Sequence, residues 1–404
     1  MLGLGLLLLA AIFMSSRKML AVGGMELPAH MTHPQEHMLE LIGRKEGLKG
    51  AGPAHNQEIP AGNFELGVAP GSKGNVTWLM HSCAATVKAG AELVAHELTK
   101  YLQKVGWNTR IMLYDHTMES FDGVPLIKMP YQAPLDERCR KVLGETDILL
   151  TQNFTPEDAL KIAEEFNLPI CFFLHLDVEK VEMLQQRWNV PVYVVYNAMT
   201  QHEVVPTIHP WTVVRPHVNY EKFQAIAGQA RKGTQVTLLN CFENKGGKTL
   251  KLLAESMPDI PFTGIKGGYG DQVIDGNFPN LTYKEHTANP LPYYADSRII
   301  IMPSRSESWG RVALEAMAAG IPVIVGDTPG LRECTAGAAP ICRQNDTECW
   351  SSEIRRLYPD GPERIAAIAG GQRRIAELQG INDSAAFDKY LIETVKPGGK
   401  IMGF

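Results

Sequence analysis

Two glutamates, Glu307 and Glu315, stand eight residues apart in "SRSESWGRVALEAMAAGIPVIVGD". Trp309, Gly310 and an Ala-rich run separate them. Carboxylates accept hydrogen bonds from paired hydroxyls, the way an acidic residue holds a ribose at the end of a parallel strand. Gly310 opens a predicted helix and Gly320 closes it at a C′ position. The first turn, from Ser308, presents free backbone N–H groups and the positive end of the helix dipole, a site suited to phosphate. One phosphate cradle between two hydroxyl readers suggests a nucleotide sugar. Upstream, "LLNCFENKGGKTL" sets Asn240, Lys245, Gly246 and Gly247 between a strand and a helix start. A lysine there neutralises a diphosphate. "GGKT" is not a Walker A loop, because the position that would need the first glycine is Phe242.

The elements that must carry these residues follow from periodicity. Apolar runs at 76–82, 109–115, 146–152, 169–175 and 191–196 alternate with helical patterns at 89–106 and 155–167. The pattern restarts with strands at 235–240, "PFTGI", "NLTY" and "RIIIMPS", a helix at 248–257, and the unit that contains both glutamates. Strands alternating with helices predict βαβ units and parallel sheets. The expected organisation is an apolar leader (1–24), a Pro/Gly/His-rich extension (25–73), an N-terminal Rossmann-like domain (74–215) and a linker (216–233). A C-terminal Rossmann-like domain (234–358) and C-terminal helices (359–404) that pack back across the cleft complete it.

Composition bounds the function. The chain has 404 residues and a formal net charge of −5, which disfavours non-specific nucleic-acid binding. Its seven cysteines include no C-x-x-C and are odd in number. Neither a zinc site nor a disulfide framework is expected, and a reducing compartment is. The uncharged stretch at 2–14 is too short to span a bilayer as a helix. It reads either as a disordered leader or as a point of membrane association, with Arg17 and Lys18 keeping the rest cytoplasmic. "HPQEH" (33–37) matches a zinc-protease pattern, but its Pro and turn-rich setting make it a chance match. Asp177, Glu179 and Glu182 read as a solvated helix start.

Taken together, these motifs resemble the retaining glycosyltransferases of the GT-B fold, glycosyl transferases group 1 (family 4-like). The glutamate pair with "G-x-x-x-LEAMAAG-x-PVI" is the most specific part. "KAGAELVAHEL" (88–98), with Gly90, Ala91 and Glu92, resembles the family's acceptor-side helix start, and "FFLHLD" (172–177) the strand end that carries an active-site histidine, here His175. "VVRPHVNYEKF" (213–223) resembles the interdomain segment and "LLNCFENKGG" the donor-phosphate loop.

The resemblance implies two Rossmann-like domains facing across a cleft, and transfer of a hexose from a nucleotide-diphosphate sugar with retained configuration. Glu315 would hold the ribose; Glu307 and the backbone of Ser308, Trp309 and Gly310 the hexose; Lys245 the leaving diphosphate. His175 would contact the sugar near the reacting carbon. Where the family often carries an Arg, this chain has Asn240, read either as a donor contact or as a turn residue. No cofactor is implied, and no metal: the chain has no Asp-x-Asp. The expected acceptor is a saccharide or lipid-linked glycan, with a modified nucleic-acid base or a protein as alternatives. An epimerase, a phosphorylase and a non-catalytic sugar-nucleotide-binding protein are the other classes open to this fold.

Overall fold

The computed structural model describes residues 71–85, 90–114, 116–130, 133–152, 156–175, 184–268 and 271–396. The leader with its membrane-association stretch, most of the extension with "HPQEH", and the Asp177/Glu179/Glu182 cluster lie outside the described residues.

Eight strands form the first sheet: β1 (Asn75–Met80), β2 (Asn108–Tyr114), β3 (Ser120–Phe121), β4 (Val124–Met129), β5 (Ile148–Thr151), β6 (Ile170–Leu174), β7 (Val192–Tyr196) and β8 (Trp211–Val213). Their order is β3-β4-β2-β1-β5-β6-β7-β8. All pairings are parallel except β3 with β4. Strands buried on both faces read as near-continuous apolar runs, and β1 (NVTWLM) and β7 (VYVVY) are buried at every position, with Asn75 and Thr77 hydrogen-bonded. Helices α1 (Gly90–Lys104), α2 (Glu137–Gly144), α3 (Pro156–Phe166) and α4 (Met199–Val204) accompany this sheet.

The segment between the sheets holds α5 (Tyr220–Gln224) and α6 (Ala227–Ala230). Six strands follow: β9 (Gln235–Leu239), β10 (Phe262–Ile265), β11 (Leu281–Lys284), β12 (Ser297–Met302), β13 (Val323–Gly326) and β14 (Ile341–Cys342). They are parallel, in the order β11-β10-β9-β12-β13-β14. Their helices are α7 (Gly247–Ser256), α8 (Leu291–Asp296), α9 (Arg311–Ala318), α10 (Pro329–Thr335), α11 (Thr347–Leu357), α12 (Pro362–Gln379) and α13 (Asp383–Tyr390). Strand order reverses direction around β1 and β9. Crevices therefore open between the exits of β1 and β5 and of β9 and β12, where such sheets bind ligands.

The last helix belongs spatially to the first sheet. Phe387, Leu391 and Val395 are fully buried among Trp78, Phe173 and Tyr193, and the Phe387 ring lies edge-on to Phe173 at 5.4 Å. Burying one such ring contributes roughly 1.5–3 kcal/mol. Asp388 adds hydrogen bonds from Lys73 Nζ at 2.8 Å and from the Trp107 indole at 2.7 Å. Among the described residues, no helix is long and apolar enough to cross a membrane.

One expectation is overturned. The structure joins Cys342 and Cys349 in a disulfide, although the odd count and the absence of C-x-x-C argued against any. A seven-residue separation carries no sequence signature of pairing. The turn from β14 into α11 folds the two Cα atoms to 5.8 Å, within bridging distance. Cys83, Cys139, Cys171, Cys241 and Cys334 are buried thiols outside this disulfide.

Candidate active site

Asn240 leaves β9 with a left-handed φ of 78°, which Asn tolerates better than most residues. Its Oδ1 accepts the Phe242 N–H at 3.1 Å. Its side-chain oxygen is thus engaged in the turn. Two glycines then let the chain close down. A Cβ on Gly246, at φ 101°, would lie 2.6 Å from Pro303 Cβ, and one on Gly247 would lie 2.3 Å from the Cys241 carbonyl. This close fit sets Lys245 against the exit of β12, where its Nζ meets Glu307 Oε1 at 2.7 Å. Ser304 Oγ donates to the same oxygen at 3.1 Å.

Gly310 begins α9 with a φ of 148°. A Cβ there would lie 2.6 Å from Leu331 Cδ2. Trp309 is buried in the core of the second half, with the Arg215 guanidinium 5.8 Å from its ring centre. Its ring packs within that core. One turn into α9, Glu315 Oε2 accepts from Tyr294 Oη at 2.6 Å. Burial and the Glu315 charge push the Tyr294 phenol well above its usual pKa, so it remains a donor. Glu315 Oε1 lies 3.6 Å from Arg311 Nη2.

The other wall comes from the first sheet. His175 follows β6, with Nε2 2.6 Å from Gln152 Oε1 and Nδ1 3.1 Å from Asn197 Nδ2. Gln152 follows β5 and donates to Ala91 O at 2.8 Å. Asn197 follows β7 and donates to Ser308 Oγ at 3.0 Å. Burial lowers the His175 pKa to about 4, so the ring is neutral near pH 7. Glu92 is buried and accepts from Ser82 Oγ at 2.9 Å. Gly90 O accepts from Arg311 Nη1 at 3.4 Å. The fold thus joins Ala91, His175 and Ser308 through amides. It brings Lys245 onto Glu307 and sets Gly90 opposite the first turn of α9.

Residues 267–360 match the family model described as glycosyl transferases group 1. The matched stretch contains both Glu307 and Glu315. The chain is similar to D-inositol 3-phosphate glycosyltransferase 1 of Catenulispora acidiphila, at 31% identity over 24% of this chain and 23% of that one. It is also similar to the capsular polysaccharide biosynthesis glycosyltransferase CapM of Staphylococcus aureus, at 24% identity over 24% and 26%. The match spans about a quarter of the length of these curated relatives. The whole fold matches Anabaena HepE, crystallised with UDP and glucose, with a TM-score of 0.63 at 15% identity over 80% of this chain and 99% of that one. The architecture is GT-B.

Several residues of this site escape sequence reasoning. Gln152 and Asn197, like His175, are each the first or second residue beyond an apolar strand run ("LLTQ", "VVYN", "FFLH"). That shared position at parallel strand ends was the available signal. Tyr294, Ser304 and Arg311 gave none, because only folding sets them beside the two glutamates. Gly330 also gave none: a Cβ there would lie 2.2 Å from the Glu307 carbonyl.

Proposed function

We propose that this chain transfers a hexose from a nucleotide-diphosphate sugar to an acceptor hydroxyl with retention of configuration, without a metal. The observation that carries the reading is the group at the β9/β12 crevice. Lys245 and Glu307 are in contact there, the N-terminus of α9 opens beside them, and Glu315 sits one turn deeper. A diphosphate in that crevice would meet the Lys245 ammonium and the α9 dipole. Lys245 then releases Glu307 to the sugar hydroxyls, and Glu315 Oε1, 3.6 Å from Arg311 Nη2, turns to a ribose. The names of the relatives and the UDP and glucose held by HepE support the donor class. The capsular polysaccharide in one of those names supports a saccharide acceptor over a nucleic-acid base or a protein.

The reaction breaks the C1–O bond and leaves its electron pair on the diphosphate. Lys245 stabilises the developing charge electrostatically, a contribution of about 10²–10³-fold per preorganised donor. The acceptor oxygen bonds to C1, and its proton passes to the departing phosphate. His175 does not take that proton. Both ring nitrogens are hydrogen-bonded, and burial makes the imidazole a weak base.

The test is a thermal-shift panel with UDP, GDP, ADP, dTDP and their sugars, followed by donor hydrolysis. A cognate ligand at 100 times its Kd should stabilise by about 2.7 kcal/mol. Lys245→Ala should lower kcat about 10²–10³-fold. Its stability should fall by less than ~1 kcal/mol, because the Lys245–Glu307 pair is part-exposed. Binding without turnover would leave a sugar-nucleotide-binding protein. No shift with any nucleotide would sink the donor assignment.

A further inference from the structure

Asn197 touches both His175 and the donor loop, and its amide can satisfy them in only one orientation. We infer that Asn197 is a positioning residue that holds His175 in the tautomer Gln152 requires and couples the ring to Ser308. The inference rests on the proposed sugar transfer only for its effect on turnover.

The proton inventory is closed. Ala91 O cannot donate, so Gln152 must turn its NH2 toward it, at 2.8 Å. Gln152 Oε1 then faces His175 Nε2 at 2.6 Å. Two acceptors cannot pair, so Nε2 carries the hydrogen. In a neutral ring Nδ1 holds the lone pair, and Asn197 Nδ2 donates to it at 3.1 Å. The second amide hydrogen of Asn197 reaches Ser308 Oγ at 3.0 Å. Flipping this amide would set Oδ1 against the Nδ1 lone pair and leave the ring without a partner there.

The surrounding backbone holds Asn197 in place. It is buried, with 3% exposure. Its own N–H donates to Gln201 Oε1 at 2.8 Å, and Gln201 Nε2 donates to Leu174 O at 3.0 Å, which ties the exits of β6 and β7 together. Just beyond, Glu333 of α10 accepts the Met199 and Thr200 N–H groups at 3.1 and 2.8 Å. That cap presses the chain after Asn197 onto the donor half. The charges on neighbouring elements have their own partners. Glu92 accepts from Ser82, Glu307 pairs with Lys245, Arg311 with Glu315, and Glu333 caps α4. Both hydrogen-bond partners of the imidazole are amides.

This tautomer makes His175 a hydrogen-bond donor at Nε2 and occupies its basic nitrogen. A sugar oxygen replacing Gln152 at Nε2 would find an N–H. Since Ser308 Oγ shares the same amide, a donor that draws on Ser308 also acts on the ring.

The experiment uses the full chain labelled with ¹⁵N-histidine and long-range ¹H–¹⁵N spectra at pH 7, with His175 assigned by its loss in His175→Gln. The wild type should show a protonated Nε2 and a bare Nδ1. In Asn197→Asp the new carboxylate accepts from Nδ1 while Gln152 still requires a hydrogen at Nε2, so the ring should become imidazolium. Asn197→Ser, whose shorter hydroxyl stops short of Nδ1, serves as the folding check and should keep the wild-type pattern, because Gln152 still requires a hydrogen at Nε2. With a reacting donor, Asn197→Asp should lose at least tenfold in kcat with a donor KM within about threefold. A protonated Nδ1 in the wild type, an unchanged nitrogen pattern in Asn197→Asp, or an unchanged kcat would each overturn the inference. Should no nucleotide sugar react with the wild type, the transfer reading fails, while the spectra still decide the tautomer.

Discussion

Gly330→Ala should damage the donor loop from outside it. Gly330 sits in the first turn of α10, and no left-handed φ demands a glycine there. The obstacle is space: the new Cβ would lie 2.2 Å from the Glu307 carbonyl oxygen, 2.5 Å from the Ser308 carbonyl carbon and 2.7 Å from its oxygen. All three are backbone atoms, which no rotamer change can move aside. Since real contacts stay above 3.0 Å, helix and loop must part by about 0.8 Å. Overpacking of this kind costs about 1–3 kcal/mol, which lowers Tm by about 2–6 °C at ~2 °C per kcal/mol for a unit this large. A misplacement near 1 Å at reacting groups costs on the order of 10²-fold in rate, so donor turnover should fall by about 10- to 100-fold. Two controls separate the causes. Gly337, at the far end of α10, has φ 81° with nothing within 4 Å, so Gly337→Ala carries strain of roughly 1–2 kcal/mol and should leave turnover intact. Gly228 in α6 is unobstructed at an ordinary φ, and Gly228→Ala should stabilise by about 0.4–1 kcal/mol. Differential scanning fluorimetry and donor hydrolysis read all three. A Gly330→Ala protein melting within about 1 °C of wild type, with unchanged turnover, would refute the packing argument.

Acid stability should carry the mark of His175. Its folded pKa is lowered from 6.5 to about 4 by burial, so between those values the unfolded chain takes up a proton that the folded one resists. Stability is complete above pH 6.5 and drains away as pH falls toward 4. The limit is about 3 kcal/mol, reduced by the ring's residual solvent contact. The drop in urea midpoint between pH 7 and 4.5 should be smaller in His175→Gln, and equal drops would refute the burial argument. The Cys342–Cys349 bond closes a short loop, for which chain entropy gives about 2.5 kcal/mol. Thiol titration of the denatured, unreduced protein should count five, and reductant should lower Tm; seven thiols would refute the pairing.

The amino-acid sequence by itself determined the two parallel sheets, because strands buried on both faces read as near-continuous apolar runs, and "VTWLM", "YVVY" and "RIIIM" can serve little else. It also determined the glycine-opened helix behind Glu307 and the place of Lys245, since left-handed backbone and helix starts depend on local residues. It said little of β3, β4 and β8, whose short or mixed runs acquire meaning only beside β2 and β7. The tertiary structure alone decided what the site residues touch. Lys245 and Glu307 are 62 residues apart, and Asn197 and Ser308 are 111 apart. Cys342 and Cys349 pair through a turn, and Phe387 enters a core formed by strands at the other end of the chain. Periodicity reports which face of an element is buried. It carries no record of the partner, because hydrogen bonds between distant segments leave no pattern along the chain.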